Sequence, residues 1–514
     1  MADHFEKTVE LPDVNDTDAL GRAIAPLLTV GDVVTFSGDL GAGKTTLARA
    51  IIRMRAGDDA LSVPSPTFTL VQDYDLPTGH VLHADFYRLE EPDAALELGL
   101  DDAVADSVTL IEWPENGVVP DGAMISIHLE TSISSGRRTA KIRAGGEARD
   151  RLSRAWALME FLKAAGWSDA ARVMIQGDAS TRRYERLSTS DGRSAILMDA
   201  PRRPDGPPVK DGLPYSKLAH LAEDVVAFVA ICEWLREQRL SAPEILAEDL
   251  GAGFVLCDDL GTVGVRDEGT GAPIPDRYML AVDVLAKLHR VTPPRSLTTN
   301  GQNHPIHAYD ASVCAIEISL FADWFVPFVI GSPLAPDARK AFFDAWSADL
   351  RPALSEDVLV LRDFHSPNLI WREDKAGLDR MGLVDVQDAL RGHPAYDLAS
   401  LAQDARVRVP VDLEEQLIDH YSRLRSEDVG FDQDAFRSAY PVHAAQRITK
   451  VMGIFVRLNV RDQKPSYMAH LPHLIDALER NLSSPHLSRV AAWHTKHCSI
   501  ASMRAAVNTT KVAV

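Results

Sequence analysis

Nine residues, Gly38-Asp-Leu-Gly-Ala-Gly-Lys-Thr-Thr46, restrict the fold of this chain more than any other stretch. They follow Val33-Val-Thr-Phe-Ser37, which reads as a short buried strand, and precede Leu47 to Met54, which reads as an apolar-periodic helix. Strand, glycine-rich loop and helix in that order, with the pattern G-x-x-x-x-G-K-T, build a phosphate cradle. Gly38, Gly41 and Gly43 let backbone N–H groups close around an anion without Cβ clashes. Lys44 is positioned to reach the β- and γ-phosphates, Thr45 to ligate Mg2+, and Thr46 completes the nucleotide-binding set. The N-terminus of the helix favours the negative charge. A bare Gly-rich turn with a solvated lysine would not require the strand and helix on either side.

Acidic strand ends follow. Val63 to Val71 is a proline-punctuated loop in which Thr67 is either a phosphate-sensing hydroxyl or an ordinary turn threonine. The strand Val81 to Tyr87 carries Asp85, placed as the acidic Mg2+ partner of the loop, and Val108 to Trp113 ends in Glu112 and Trp113. Glu112 would position water or support the metal shell, as a catalytic residue; Trp113 fits the nucleotide site or the core equally well.

A second chemical centre lies far downstream. Val358-Leu-Val-Leu361 delivers Asp363 onto a loop, and Asn368 follows within Arg362-Asp-Phe-His-Ser-Pro-Asn368. A further apolar strand ends in Asp385, within Gly382-Leu-Val-Asp-Val-Gln-Asp388. Phosphoryl transfer to a hydroxyl uses this combination: a carboxylate as proton acceptor, and an amide oxygen with a second carboxylate to hold Mg2+ against ATP. Asp363 is therefore the expected base, with Asn368 and Asp385 as metal ligands. His365 could touch phosphate or acceptor, or brace the loop, and Asp397 at a helix start is placed to brace it as well.

Between the two centres, Gly177-Asp-Ala-Ser180 lies in a strand–loop–strand where such enzymes cover ATP, although it is not G-x-G-x-x-G. Gly177, Ser180 and Arg183 are the expected nucleotide contacts there. The strand lysine that should bind the α- and β-phosphates is replaced by Met198, so Arg182 or Arg183 would have to supply that charge. Gly253 to Gly261 reads as an adenine-binding hinge, with Asp259 as a turn residue. Glu317 shares a helical face with Leu320, Phe321 and Trp324, a polar edge on an apolar stripe. His443 to Lys450 and Gly453 to Arg457 set basic side chains at helical spacing, either lining an acceptor pocket or facing solvent.

With 514 residues the chain exceeds one ordinary core. The seam is expected at Arg143-Ala-Gly-Gly-Glu147, giving a first domain over 1–146, a second over 152–492 that begins with the helix Leu152 to Leu162, and a tail over 493–514. A net charge of −20 disfavours direct binding of a nucleic-acid backbone. Four scattered cysteines argue against zinc and disulfides and for a reducing cytoplasm. No apolar run reads as a membrane span, no signal is visible at the start, and a cytoplasmic location without membrane contact is expected.

GDLGAGKTT, SPTFTLV, HADFYRL, ELGL and IEWPE, in this order, resemble the TsaE family of ATPases in tRNA threonylcarbamoyladenosine biosynthesis. The resemblance implies TsaB- and TsaD-like partners, with tRNA met only indirectly. It implies phosphate and Mg2+ binding by Lys44 and Thr45, a metal-side Asp85, and Glu112 with Trp113 at the nucleotide. GDASTRRY, ILMDAP, DDLG, RDFHSPNLIW, GLVDVQDA and YDLASL resemble the aminoglycoside phosphotransferase superfamily, and within it the AmgK-type kinases of N-acetylmuramate and N-acetylglucosamine. That likeness assigns Asp363 as base and Asn368 with Asp385 to Mg2+, and leaves Gln387, Asp388 and Arg447 as candidate sugar contacts. The expected architecture is an α/β P-loop NTPase domain followed by a bilobal, protein-kinase-like α+β domain. The expected function is an ATPase for tRNA modification joined to an amino-sugar kinase. An aminoglycoside or other small-alcohol phosphotransferase, or a non-catalytic nucleotide-binding second domain, remain the alternatives.

Overall fold

A computed structural model describes residues 4–131, 137–175, 182–202 and 205–510. The chain divides into two compact units, Met1–Ser168 and Asp169–Val514. Gly177 and Ser180 lie outside the described residues.

Unit 1 opens with β1 (Phe5–Leu11), α1 (Val14–Ile24), β2 (Asp32–Ser37) and α2 (Lys44–Ala56). Then come β3 (Val71–Leu76), β4 (Gly79–Asp85), the single turn α3 (Leu100–Ala103), β5 (Ser107–Glu112), β6 (Ala123–Thr131), β7 (Arg138–Ala144) and α4 (Gly146–Ala164). The seven strands form one sheet in the order β1-β7-β6-β2-β5-β4-β3. Its centre, β6-β2-β5-β4, is parallel, and β2 and β5 are buried almost throughout because helices or loops cover both faces. That arrangement aligns the C-terminal ends of β2, β5 and β4, where Ser37, Glu112 and Asp85 sit.

The helix assigned from sequence to the second domain is α4, and it completes unit 1 instead. Ala148 and Leu152 join the core beneath the sheet, the Trp156 ring lies 6.0 Å from Phe5, and an Arg151 guanidinium nitrogen donates to Asp32 Oδ2 at 2.6 Å. The Gly145–Gly146 pair starts this helix, with Gly146 at φ +55°, and does not act as an interdomain linker. The boundary falls after Ser168.

Unit 2 begins with strands β8 (Ala171–Ile175), β9 (Arg183–Ser188), β10 (Ser194–Asp199), β11 (Pro208–Lys210) and β12 (Leu213–Pro214), then α5 (Tyr215–Leu218), α6 (Val226–Glu237), β13 (Ile245–Asp249) and β14 (Phe254–Asp258). Five of these strands form an antiparallel sheet, β13-β14-β10-β9-β8. The sequence pattern predicts one helix from Leu218 to Leu235, but α5 ends at Leu218 and α6 starts at Val226, and between them the Ala222 N–H is engaged by the Asp388 carboxylate at 2.7 Å. The helical part follows: α7 (Pro275–Leu288), β15 (Ser296–Thr299), β16 (Gln302–Pro305), α8 (Ala311–Leu320), a π-helical turn over Phe321–Phe325, α9 (Val326–Ile330) and α10 (Pro336–Leu350). Short strands β17 (Val358–Val360), β18 (Leu369–Trp371), β19 (Met381–Leu383) and β20 (Leu390–Gly392) precede α11 (Ala395–Ala402), α12 (Val411–Arg425), α13 (Gln433–Asp462), α14 (Leu471–Leu482), α15 (Ser488–His497) and α16 (Ile500–Thr510).

Two sequence expectations change here. Residues 493–510 are no tail: Trp493 donates to the Ala338 carbonyl at 2.9 Å, and Met503 and Val507 are buried in the core. The segment Ala311–Ile330 is, by length and a mean hydropathy of 1.9, apolar enough to cross a bilayer. It is instead mostly enclosed within unit 2 and holds Glu317 at its middle, as a core helix does. All four cysteines are buried thiols.

Candidate functional site

In unit 1 the phosphate loop leaves β2 and enters α2 through Gly43 at φ +110°, a value that excludes most side chains. Gly38, at φ +126°, packs so closely that a Cβ would stand 2.1 Å from the Leu129 carbonyl oxygen. Lys44 folds back over the loop, donating to the Gly38 and Asp39 carbonyls at 2.6 and 2.9 Å. Its ammonium lies 3.6 Å from the centroid of Trp113, which places that ring at the loop and not in the core. Burial lowers the Lys44 pKa, and the surrounding carboxylates, Glu112 foremost, oppose this.

Glu112 and Asp85 stand side by side as register partners on β5 and β4. Thr45 Oγ1 donates to Glu112 Oε2 at 2.8 Å, while Asp85 Oδ2 accepts from Ser65 and Thr67 at 2.8 and 2.7 Å. The hydroxyl expected to share a cation with Asp85 thus meets Glu112 directly. Thr67 reaches the site through Asp85. Two partners were missed from sequence: His83, whose Nε2 is 2.9 Å from Glu112 Oε1, and Ser65. His83 sits on the buried face of β4, where nothing in a strand pattern separates a hydrogen-bonded histidine from a packed one.

In unit 2 the hairpin of β18 and β19 assembles the second centre. Leu369 opposes Leu383 and Trp371 opposes Met381, so the residues at the open end, Asn368 and Asp385, emerge together. The Val384 N–H donates to the Asn368 carbonyl at 3.1 Å, and Asn368 Nδ2 is 3.5 Å from Asp385 Oδ2. Asn368 Nδ2 also donates to the Asp363 carbonyl at 3.0 Å, which turns the amide oxygen outward. An amide oxygen and a carboxylate are hard donors suited to Mg2+, and among the described residues no group of three or more His, Cys, Asp or Glu side chains could hold a metal alone. An ion here would therefore need oxygens from a nucleotide as well.

The Asp363 loop is clamped from below. The Asp397 carboxylate accepts the N–H groups of Leu361 and Arg362 at 2.6 and 2.9 Å, the bracing role expected of it. Arg362, at φ +67°, sends its guanidinium inward to Glu317 and to the Ala219 carbonyl. Glu317, fully buried, also accepts from Tyr309, from Gln446 Nε2 at 3.0 Å and from Lys450 Nζ at 3.2 Å. Burial would raise its pKa, but Lys450 and Arg362 outweigh this and hold it at about 2. Burial pushes Asp363 upward too, and the cations around it, Lys450 foremost and then Arg447 and Arg362, more than offset it, so Asp363 remains ionised. Asp385 is raised, by burial and by its neighbour Asp363. His365 is buried and driven down to about 4, a neutral imidazole that braces the loop.

These groups line one cavity of about 1040 Å³, with Asp363, Asn368 and Asp385 on one wall and Tyr184, Met198 and Leu260 on another. Of the two arginines considered in place of the strand lysine, Arg182 lines the cavity, 3.6 Å from Asp385 Oδ1, whereas Arg183 is exposed on β9. Arg182 immediately precedes β9 and Arg183 begins it, so the adjacent side chains leave the chain on opposite sides. Asp259 accepts from Arg186 and the Gly261 N–H at 2.7 and 3.0 Å, as a turn residue does. Of the basic stretch His443 to Arg457, Arg447, Lys450 and Arg457 line the cavity; Arg362 carried no individual signal in the sequence, and the acid at Glu317 on an apolar helix face was the hint of its partner.

Residues 11–140 match the family model described as threonylcarbamoyl adenosine biosynthesis protein TsaE, and residues 171–434 match the one described as phosphotransferase enzyme family. The N-acetylmuramate/N-acetylglucosamine kinase of Caulobacter vibrioides is 35% identical over 367 residues, covering 67% of this chain and 96% of that protein. The tRNA threonylcarbamoyladenosine biosynthesis protein TsaE of Rickettsia bellii is 42% identical over 100 residues, covering 20% of this chain and 69% of that protein. Among solved structures, the ethanolamine kinase of Plasmodium vivax is 12% identical, covers 66% of this chain and 90% of its own, and superposes with a TM-score of 0.43.

Proposed function

Since this chain belongs to the phosphotransferase enzyme family through its second unit and to the TsaE family through its first, and is an ATP-using enzyme, we propose that it is bifunctional. Unit 1 hydrolyses ATP in support of tRNA adenosine-37 threonylcarbamoylation, together with TsaB- and TsaD-like proteins. Unit 2 phosphorylates the anomeric hydroxyl of N-acetylmuramate and N-acetylglucosamine, in the cytoplasm.

The observation that carries the kinase reading is the meeting of Asp363, Asn368 and Asp385 at one cavity wall. Asp363, ionised and open to the cavity, accepts the proton of the sugar hydroxyl as the sugar oxygen bonds to the γ-phosphorus of ATP and the bond from that phosphorus to the departing ADP breaks. Asn368 and Asp385 would hold Mg2+, which when bound neutralises charge on the phosphates. Arg182 sits where a cation can meet the nucleotide, in place of the lysine absent at Met198. Asp397 fixes the loop's backbone, and the Glu317–Arg362 pair fixes its base.

Asp363→Asn should cut turnover about 10²- to 10⁴-fold while ATP affinity holds. Labelled ATP with N-acetylmuramate, N-acetylglucosamine and kanamycin in parallel tests the acceptor, and label found only on kanamycin would replace this reading with antibiotic phosphorylation. For unit 1, Lys44→Ala should abolish ATP hydrolysis measured with TsaB- and TsaD-like partners present, without touching sugar phosphorylation.

A further inference from the structure

The long helix α13 contributes Arg447, Lys450, Val451, Ile454 and Arg457 to the cavity wall, on one face at spacings of three, four, seven and ten residues from Arg447. On this side Glu317 is shared by Lys450 and Arg362, one carboxylate between two cations. Arg447 is left over. It is only 3% exposed, yet its Nε and Nη1 have no hydrogen-bond partner among the described residues. Arg457 Nε is likewise unpartnered. A guanidinium withdrawn from water without an acceptor is costly, and one that faces a cavity regains its partner only from what enters.

We propose that Arg447 is the residue by which this enzyme recognises a carboxylate on its acceptor, an inference that rests on the amino-sugar kinase reading of unit 2. Arg447 lines the same cavity as Asp363 and stands one helical turn before Lys450 on α13, whereas Arg182 stands 3.6 Å from Asp385, a carboxylate that would hold Mg2+ with the nucleotide. The two sugars named for the similar kinase differ in one charged group: N-acetylmuramate carries a lactyl carboxylate and N-acetylglucosamine does not. A carboxylate accepting from Arg447 would satisfy the buried donors. A neutral sugar leaves them unmet, so the wall selects for the acid.

The test compares kcat/KM for N-acetylmuramate, its carboxamide and N-acetylglucosamine, at fixed ATP and Mg2+, in the wild-type chain and in Arg447→Gln and Arg447→Lys. In the wild type the acid should exceed the carboxamide by about 10- to 100-fold. Arg447→Gln should collapse that ratio toward one, chiefly through KM for the acid, and Arg447→Lys should restore part of it, with KM for ATP constant. A common loss for all three acceptors in both variants would overturn the assignment, since it would mean that Arg447 serves phosphoryl transfer or the fold. Equal use of acid and carboxamide by the wild type would overturn it as well. If the wild type phosphorylates no amino sugar, the kinase reading itself falls and the inference with it.

Discussion

Glu317 is the carboxylate on which the polar interior of unit 2 depends. Replacing it with Gln leaves Arg362 and Lys450 buried against each other, and Glu317→Gln should destabilise unit 2 by about 3–5 kcal/mol in urea unfolding. Because its folded pKa is held at about 2, below the value in an unfolded chain, Glu317 stabilises above that unfolded value and ceases to do so as pH falls toward 2. Buried imidazoles set an earlier acid limit. His365, His443 and His494 are each driven by burial down to about 4, so the unfolded chain binds more protons between about 6.5 and 4. Unfolding midpoints should therefore drop as pH is lowered through that window, before the carboxylates titrate. At this scale Lys44, Thr45, Asp363, Asn368 and Asp385 were legible because their chemistry demands a type at a spacing. His83, Ser65 and Arg362 were not, because each is chosen by a neighbour that only the fold supplies, and the choice between Arg182 and Arg183 needed the fold as well.

Elements were read most easily where a motif and a period coincide, as at β2, α2 and the strands that carry Asp85, Glu112 and Asp385. They were misread where a tertiary contact meets local preference: the Leu218–Leu235 helix is interrupted where Ala222 meets Asp388, and the helical pattern at Glu317–Trp324 gives way to a π turn. The reason for that turn lies in α13. Gly453 packs against the backbone at Leu320 and Phe321, where a Cβ would stand 2.3 Å from the Leu320 carbonyl carbon. Wider π geometry and a missing side chain together let the two helices approach. Alanine normally favours a helix by about 1 kcal/mol over glycine, but here the clash should dominate. Gly453→Ala should lower the melting temperature of unit 2 and reduce phosphoryl transfer, since the same helix carries Arg447 and Lys450.

For the whole molecule, the first boundary was misplaced because composition marks a glycine pair, whereas burial decides which sheet a helix belongs to. A fragment ending at Ser168 should unfold cooperatively, while one ending at Ala144 lacks Leu152, Trp156 and the Arg151 partner of buried Asp32. Circular dichroism melts of the two fragments should show the shorter one markedly less stable or unfolded. Within the full chain, Arg151→Ala should cost unit 1 about 1–2 kcal/mol, a figure reduced for the partial exposure of Arg151. Only six residues separate the end of α4 at Ala164 from the start of β8 at Ala171. One ribosome passage therefore yields the two units in equal number, so this polypeptide cannot supply one without as much of the other.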